Sequence, residues 1–173
     1  MWIDVNGAVD KNKNEIEAQK SIEELKKFIE FAKKNPQPEG LNWSVAVITF
    51  YRGQEKDLRN KLQKLCNLPH TISNFYIRKS DKTQINIKLH TVDKFQGQEA
   101  DIVFLSMVQT FRDGFMDSPN RLNVALTRAK FQLVILGDHE YFSGKSPQKD
   151  KKKSNSEYLI NLANNTPVLR RSR

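Results

Sequence analysis

Three short segments of this 173-residue chain concentrate side chains that could handle a phosphate or a nucleotide. The first, Val45-Ala-Val-Ile-Thr-Phe-Tyr-Arg-Gly-Gln54, is an apolar, β-branched run that ends in Thr49, Tyr51, Arg52 and Gln54. Hydroxyl, amide and guanidinium groups at a strand end suit phosphate contact, and Tyr51 could offer a stacking face to a base. An ordinary polar strand-to-helix turn would carry the same residues. The second, His90-Thr-Val-Asp-Lys-Phe-Gln-Gly-Gln-Glu-Ala-Asp101, sets Gln96, Gln98 and Glu99 around Gly97. Glycine permits positive φ or close backbone approach, and Glu99 could accept a ribose hydroxyl; a solvated loop turn is the plain alternative. The third, Arg121-Leu-Asn-Val-Ala-Leu-Thr-Arg-Ala-Lys130, places two arginines seven residues apart, about 10 Å along one helix face. No acid stands four residues to either side of Arg128, where Val124 and Gln132 occur. Its guanidinium is therefore open to an anionic ligand or simply to solvent. Arginine grips phosphate with a planar, permanently charged fork and can stabilise charge on a transferring phosphoryl group.

Regular elements must hold these segments in place. Trp2 to Val5 reads as a short strand. Ala18, Ile22, Leu25, Ile29 and Ala32 fall on one helical face, with Asn14 and Glu17 as a capping arrangement and Pro36, Pro38 and Gly40 as the stop. Ser44 to Phe50 suits a strand buried on both faces. Leu58, Leu62 and Leu65 mark a second helix, and residues 67–84 are polar and irregular, which predicts a loop or small insertion. Ile85 to Val92, Asp101 to Val108 and Phe131 to Gly137 read as further strands. Ser118-Pro119 starts a helix expected to reach about Lys130, and Tyr158, Leu159 and Leu162 predict a last short helix. The alternation predicts an α/β domain with a mainly parallel sheet flanked by helices. Ligands of such sheets gather at the carboxyl ends of the strands, so the three segments are expected at one edge.

Charge and composition narrow the class. The net charge is +9, and residues 144–173 hold eight Lys/Arg against two acids, +6, leaving +3 for residues 1–143. The organisation expected is one domain over 1–142, a basic linker over 143–156, and a short helix with a basic tail over 157–173. Such a tail binds nucleic acid phosphates or is simply solvated. No apolar run approaches the roughly 20 residues of a membrane span, and Met1 to Gly7 lacks the layout of a secretory signal. Cys66 is the single cysteine, which excludes an intrachain disulfide and fits an intracellular compartment, cytoplasmic or nuclear. Gly144-Lys145-Ser146 resembles the end of a P-loop, but position 139 is His where the pattern needs glycine. Asp93, Glu99 and Asp101 leave a metal-dependent nuclease as a minor reading; no bound metal is expected.

Taken together, the segments resemble motifs IV (Val45 to Gln54), V (Thr91 to Asp101) and VI (Arg121 to Lys130) of superfamily 1 helicases. The nearest group is the nonsense-mediated-decay helicase, senataxin and nuclease-linked DNA helicase lineage. The resemblance spans residues 1–140, and Asn14-Glu-Ile-Glu-Ala18 resembles the start of the helix before motif IV. Phe50 stands where the family usually carries proline. The resemblance implies a RecA-like second helicase domain, a P-loop NTPase fold. It implies that Arg128 is an arginine finger on the γ-phosphate of ATP, that Gly97, Gln98, Glu99 and Arg121 lie on the nucleotide side, and that Thr49, Tyr51, Arg52, Gln54, Thr91 and Val92 lie along single-stranded DNA or RNA. ATP and Mg²⁺ would be held mainly by a first RecA-like domain of the same, longer polypeptide, and this chain alone would be inactive. A non-catalytic nucleic acid-binding module with a vestigial signature is the alternative.

Overall fold

Buried apolar stripes decide how the elements layer. The computed structural model describes residues 1–38, 40–79, 82–145 and 152–169. In chain order come β1 (Trp2–Asp4), β2 (Val9–Asp10), β3 (Lys13–Asn14), α1 (Glu15–Lys34), β4 (Trp43–Thr49), α2 (Arg52–Cys66), β5 (Asn74–Lys79), β6 (Lys82–Thr91), β7 (Ala100–Ser106), α3 (Pro119–Leu126), β8 (Ala129–Gly137), α4 (His139–Phe142), α5 (Glu157–Asn165) and β9 (Val168–Leu169). Among the described residues one sheet has the order β5-β6-β4-β7-β8-β1-β9. Its strands run parallel except β5, which pairs antiparallel with β6. This is the flanked, mainly parallel RecA-like sheet expected from the strand–helix alternation.

Helices α1 and α2 cover one face through Ala18, Ile22, Leu25, Leu58 and Leu62, packed on Val45, Val47, Ile87 and Phe104. The other face carries α3, α4 and α5 through Leu122, Ala125, Phe142, Leu159 and Ala163, packed on Ile48, Val103 and Leu105. Each fully buried Leu stabilises the fold by roughly 1.5–3 kcal/mol relative to exposure. Helix α1 starts at Asn14, whose Oδ1 accepts the Glu17 amide at 3.1 Å. It closes at Asn35, with Lys33 and Lys34 in its last turn where the helix dipole favours cations.

Two expectations need correction. Residues 67–84 are not an irregular loop, because β5 and the start of β6 form an antiparallel edge pair there. Phe75 is buried and Ile77 partly so, but Asn74, Tyr76 and Arg78 alternate with them. The third-segment helix stops at Leu126, since the Thr127 amide and hydroxyl both donate to the Asn123 carbonyl, at 3.0 and 2.8 Å. The last short helix expected at Tyr158, Leu159 and Leu162 is α5, whose Leu159 and Ala163 sit in the core, and the following β9 pairs with β1. Of the expected basic linker and tail, residues 146–151 and 170–173 lie outside the described residues.

Candidate nucleic-acid and nucleotide sites

The three segments collect at two places. One is a cleft of about 440 Å³ at the carboxyl ends of β4 and β6, walled by Arg52, Gly53, Thr91, Asp93, Lys94 and Arg121, with Asn12 opposite. The β-ladder builds it, because Thr49 at the end of β4 is opposite Thr91 of β6. Arg52 opens α2, is exposed, and has no acidic partner among the described residues. Thr91 is 7% exposed and borders the cleft, and its hydroxyl has no hydrogen-bond partner among the described residues. Arg121 Nε meets Asp93 Oδ1 at 2.9 Å, and Lys94 Nζ lies 3.8 Å from Glu55.

The second place is the amino edge of β7 and β8. The Ala100 amide donates to the Arg128 carbonyl at 3.0 Å, and Ala100 pairs with Ala129. Arg128 is thereby fixed beside Glu99. Gly97 has φ +78°, a conformation that strains other residues, and with Glu99 it is exposed. Gln98 is tied down: its Oε1 accepts from Lys88 Nζ at 2.8 Å and its Nε2 donates to the Lys94 carbonyl at 3.3 Å. Arg128 is half-buried, donates Nε to the Val124 carbonyl at 3.3 Å, and forms no ion pair among the described residues.

The expected single edge is therefore two. Helix α3 crosses one sheet face, so its first turn holds Arg121 against Asp93, while the Arg128 backbone, just past its end, bonds the start of β7 next to Glu99. Arg121 belongs with the cleft, not with Gly97, Gln98 and Glu99. Of the residues expected along a strand, Arg52 and Thr91 border open space. Thr49, Gln54 and Val92 are sealed in the interior, and Tyr51, at 3% exposure, lies too deep in the cleft wall to offer its ring. The Thr49 hydroxyl accepts the Tyr51 amide at 3.4 Å.

Gln54 anchors a buried network. Its Oε1 accepts the Asn14 amide at 2.8 Å, and its Nε2 donates to the Asn14 carbonyl at 3.1 Å and to Ser106 Oγ at 2.9 Å. Ser106 in turn donates to Glu17, whose two carboxylate oxygens accept the Val108 amide at 2.9 and 3.1 Å. Val108 has φ +74°, a strain of about 1–3 kcal/mol for a β-branched residue, and this grip holds it there. Burial pushes the Glu17 carboxyl from 4.5 up to about 8, against hydrogen bonds that pull it down. The folded state thus holds the Glu17 proton more tightly than the unfolded chain. The contribution of Glu17 to stability is full below about pH 4.5 and is lost as pH rises toward 8. Urea midpoints measured across that range should decline for the wild type and flatten for Glu17→Gln; parallel curves would contradict the assignment.

Two of the three carboxylates of the nuclease reading are engaged elsewhere. Asp93 pairs with Arg121 and Asp101 accepts the Ser44 amide at 2.8 Å. Among the described residues no group of three His, Cys, Asp or Glu side chains is placed to hold a metal ion. Among them, too, no helix is long and apolar enough to cross a membrane.

A family model described as an AAA domain matches residues 2–140, a span that contains both sites. The chain belongs to that AAA domain family. Several relatives of this AAA domain are helicases by name. It is 40% identical over 103 residues to Regulator of nonsense transcripts 1 of Dictyostelium discoideum, covering 57% of this chain and 7% of that protein. To Helicase sen1 of Schizosaccharomyces pombe it is 38% identical over 99 residues, 56% of this chain and 5% of the relative. To an uncharacterised ATP-dependent helicase of Methanocaldococcus jannaschii it is 34% identical over 137 residues, 79% of this chain and 17% of the relative. The AAA domain thus spans less than a fifth of each of these relatives.

Sequence reasoning missed the β2–β3 hairpin that closes the AAA domain's cleft. Its turn residues Lys11 and Asn12 have φ +48° and +59° without the glycine that usually signals such a turn. The hairpin tip packs on the start of α2, where a Cβ on Gly53 would lie 2.6 Å from the Lys11 carbonyl oxygen. Gly53 is therefore a close-approach glycine that lets the hairpin wall the cleft.

Proposed function

We propose that this AAA domain is the second motor domain of an ATP-dependent superfamily 1 helicase. In this reading the Arg52 cleft holds the backbone of a single nucleic acid strand, and Arg128 faces nucleotide bound mainly by a first RecA-like domain. What supports it is the separation of the two sites. An arginine without an acidic partner is held beside Glu99 and an exposed positive-φ glycine, and a second exposed arginine opens a polar cleft at the other end of the same sheet. ATP, held with Mg²⁺ by the first domain, would supply the phosphoryl transfer to water. Arg128 contributes a fixed positive charge on its side of the interdomain gap, and Gly97 and Glu99 present backbone and carboxylate beside it. Arg52 and the Thr91 hydroxyl contribute phosphate contacts that shift with the domain as the gap opens and closes.

The chain alone is then expected to hydrolyse no ATP but to bind a single strand. Arg52→Ala should weaken binding of a labelled single-stranded oligonucleotide several-fold at low salt and lower the salt slope by about one. Fluorescence anisotropy across a salt series measures both. If Arg52→Ala leaves both unchanged, the strand is not held in this cleft and the vestigial, tail-binding module becomes the better reading.

A further inference from the structure

The stacking face expected of Tyr51 is buried, yet another aromatic ring lies open on the same side of the domain. Phe111, in the loop after β7, is 40% exposed. The Arg112 guanidinium sits 5.4 Å from its ring centre and Lys152 Nζ 5.9 Å. Neither cation has an acidic partner among the described residues. Arg112 also donates to Asn12 Oδ1 at 2.8 Å, the asparagine that walls the Arg52 cleft. The ring and the cleft are therefore joined through one hydrogen bond.

The arrangement is built rather than incidental. Asp113 Oδ1 accepts the Tyr141 hydroxyl at 3.0 Å, and its Oδ2 accepts the Asn155 amide at 3.1 Å. The Ser154 amide donates to the Tyr141 carbonyl at 2.9 Å, and Ser154 is buried. These bonds clamp the loop holding Phe111 to the segment holding Lys152. An exposed ring flanked by cations suits a polyanion that also carries flat bases, because aromatic stacking accepts any base and the cations meet the phosphates.

We propose that Phe111 is a base-stacking platform that extends the single-strand track beyond the Arg52 cleft, with Arg112 and Lys152 meeting the flanking phosphates. An arriving base displaces the Lys152 ammonium from the ring, and that ammonium turns to the neighbouring phosphate. The proposal rests on the cleft being a strand groove.

Oligonucleotides of about four and about twelve nucleotides, in DNA and RNA form, separate the two claims. Phe111→Ala should weaken the long probe by about tenfold and leave the short one unchanged, while Phe111→Tyr restores the long-probe affinity. A 2-aminopurine placed along the long probe should be quenched by the wild type and by Phe111→Tyr, but not by Phe111→Ala. Lys152→Ser should lower the salt slope for the long probe by about one. The platform is rejected if Phe111→Ala binds and quenches the long probe as the wild type does while Arg52→Ala weakens both lengths. If Arg52→Ala affects neither length, the groove reading fails and the extension falls with it.

Discussion

If this domain works beside a P-loop domain as proposed, Arg128→Ala in the two-domain protein should slow nucleic acid-stimulated ATP hydrolysis by about 10³-fold or more. That is about 4 kcal/mol of transition-state stabilisation. The guanidinium is half-buried and carries no acidic partner among the described residues, so its charge is not spent within the domain. Its one hydrogen bond among the described residues, Nε to the Val124 carbonyl at 3.3 Å, is long, and losing it should shift stability by less than about 1 kcal/mol. A collapse in turnover with an unchanged urea midpoint therefore reports chemistry, not unfolding. Arg128→Lys should recover only part of the rate, since an ammonium lacks the planar fork. Strand affinity through Arg52 should be untouched, because the two sites lie at opposite ends of α3. Near-normal turnover in Arg128→Ala removes the arginine from the mechanism whatever its position.

The parts of the fold that sequence exposes are those whose burial is repetitive. The apolar stripe from Ala18 to Ala32 and the runs of β4 and β7 are legible because every neighbour repeats the same environment. Strand β5 is not, because only Phe75 and Ile77 face the core while its outer face is polar, as an edge strand requires. The sites were legible as chemistry but not as placement. Thr49, Tyr51, Arg52 and Gln54 all look like ligand contacts, and a chain position within three residues of Arg52 says nothing about which way each side chain turns. Pleat and helix phase sent Thr49 and Gln54 inward and Arg52 outward. Likewise Arg121 and Arg128 share a segment, but the early end of α3 and the ion pair to Asp93 divided them between two sites. Phe111 carried no periodic signal at all; its exposure depends on Asp113, whose partners Tyr141 and Asn155 lie 28 and 42 residues away in the chain.

Gln54 separates a residue that touches nucleic acid from one that builds the place where it is touched. Gln54→Ala removes both partners from the Asn14 backbone and one from Ser106, all of them buried. Each stranded buried polar group costs about 1–3 kcal/mol, so a loss of about 3 kcal/mol or more is expected. In a chain of this size that lowers the melting temperature by roughly 6–12 °C. Loosening this joint frees the start of α1 from the start of α2 but removes no group that borders the cleft. Strand affinity should then fall only in step with the folded fraction. Under sucrose at low temperature, where the variant is fully folded, it should bind an oligonucleotide nearly as the wild type does. A direct contact would show the reverse, an undisturbed melting temperature with lost affinity. Because the Gln54 amide is saturated from both sides by Asn14 and Ser106, a strand could engage it only by breaking the network that also holds Glu17 against Val108.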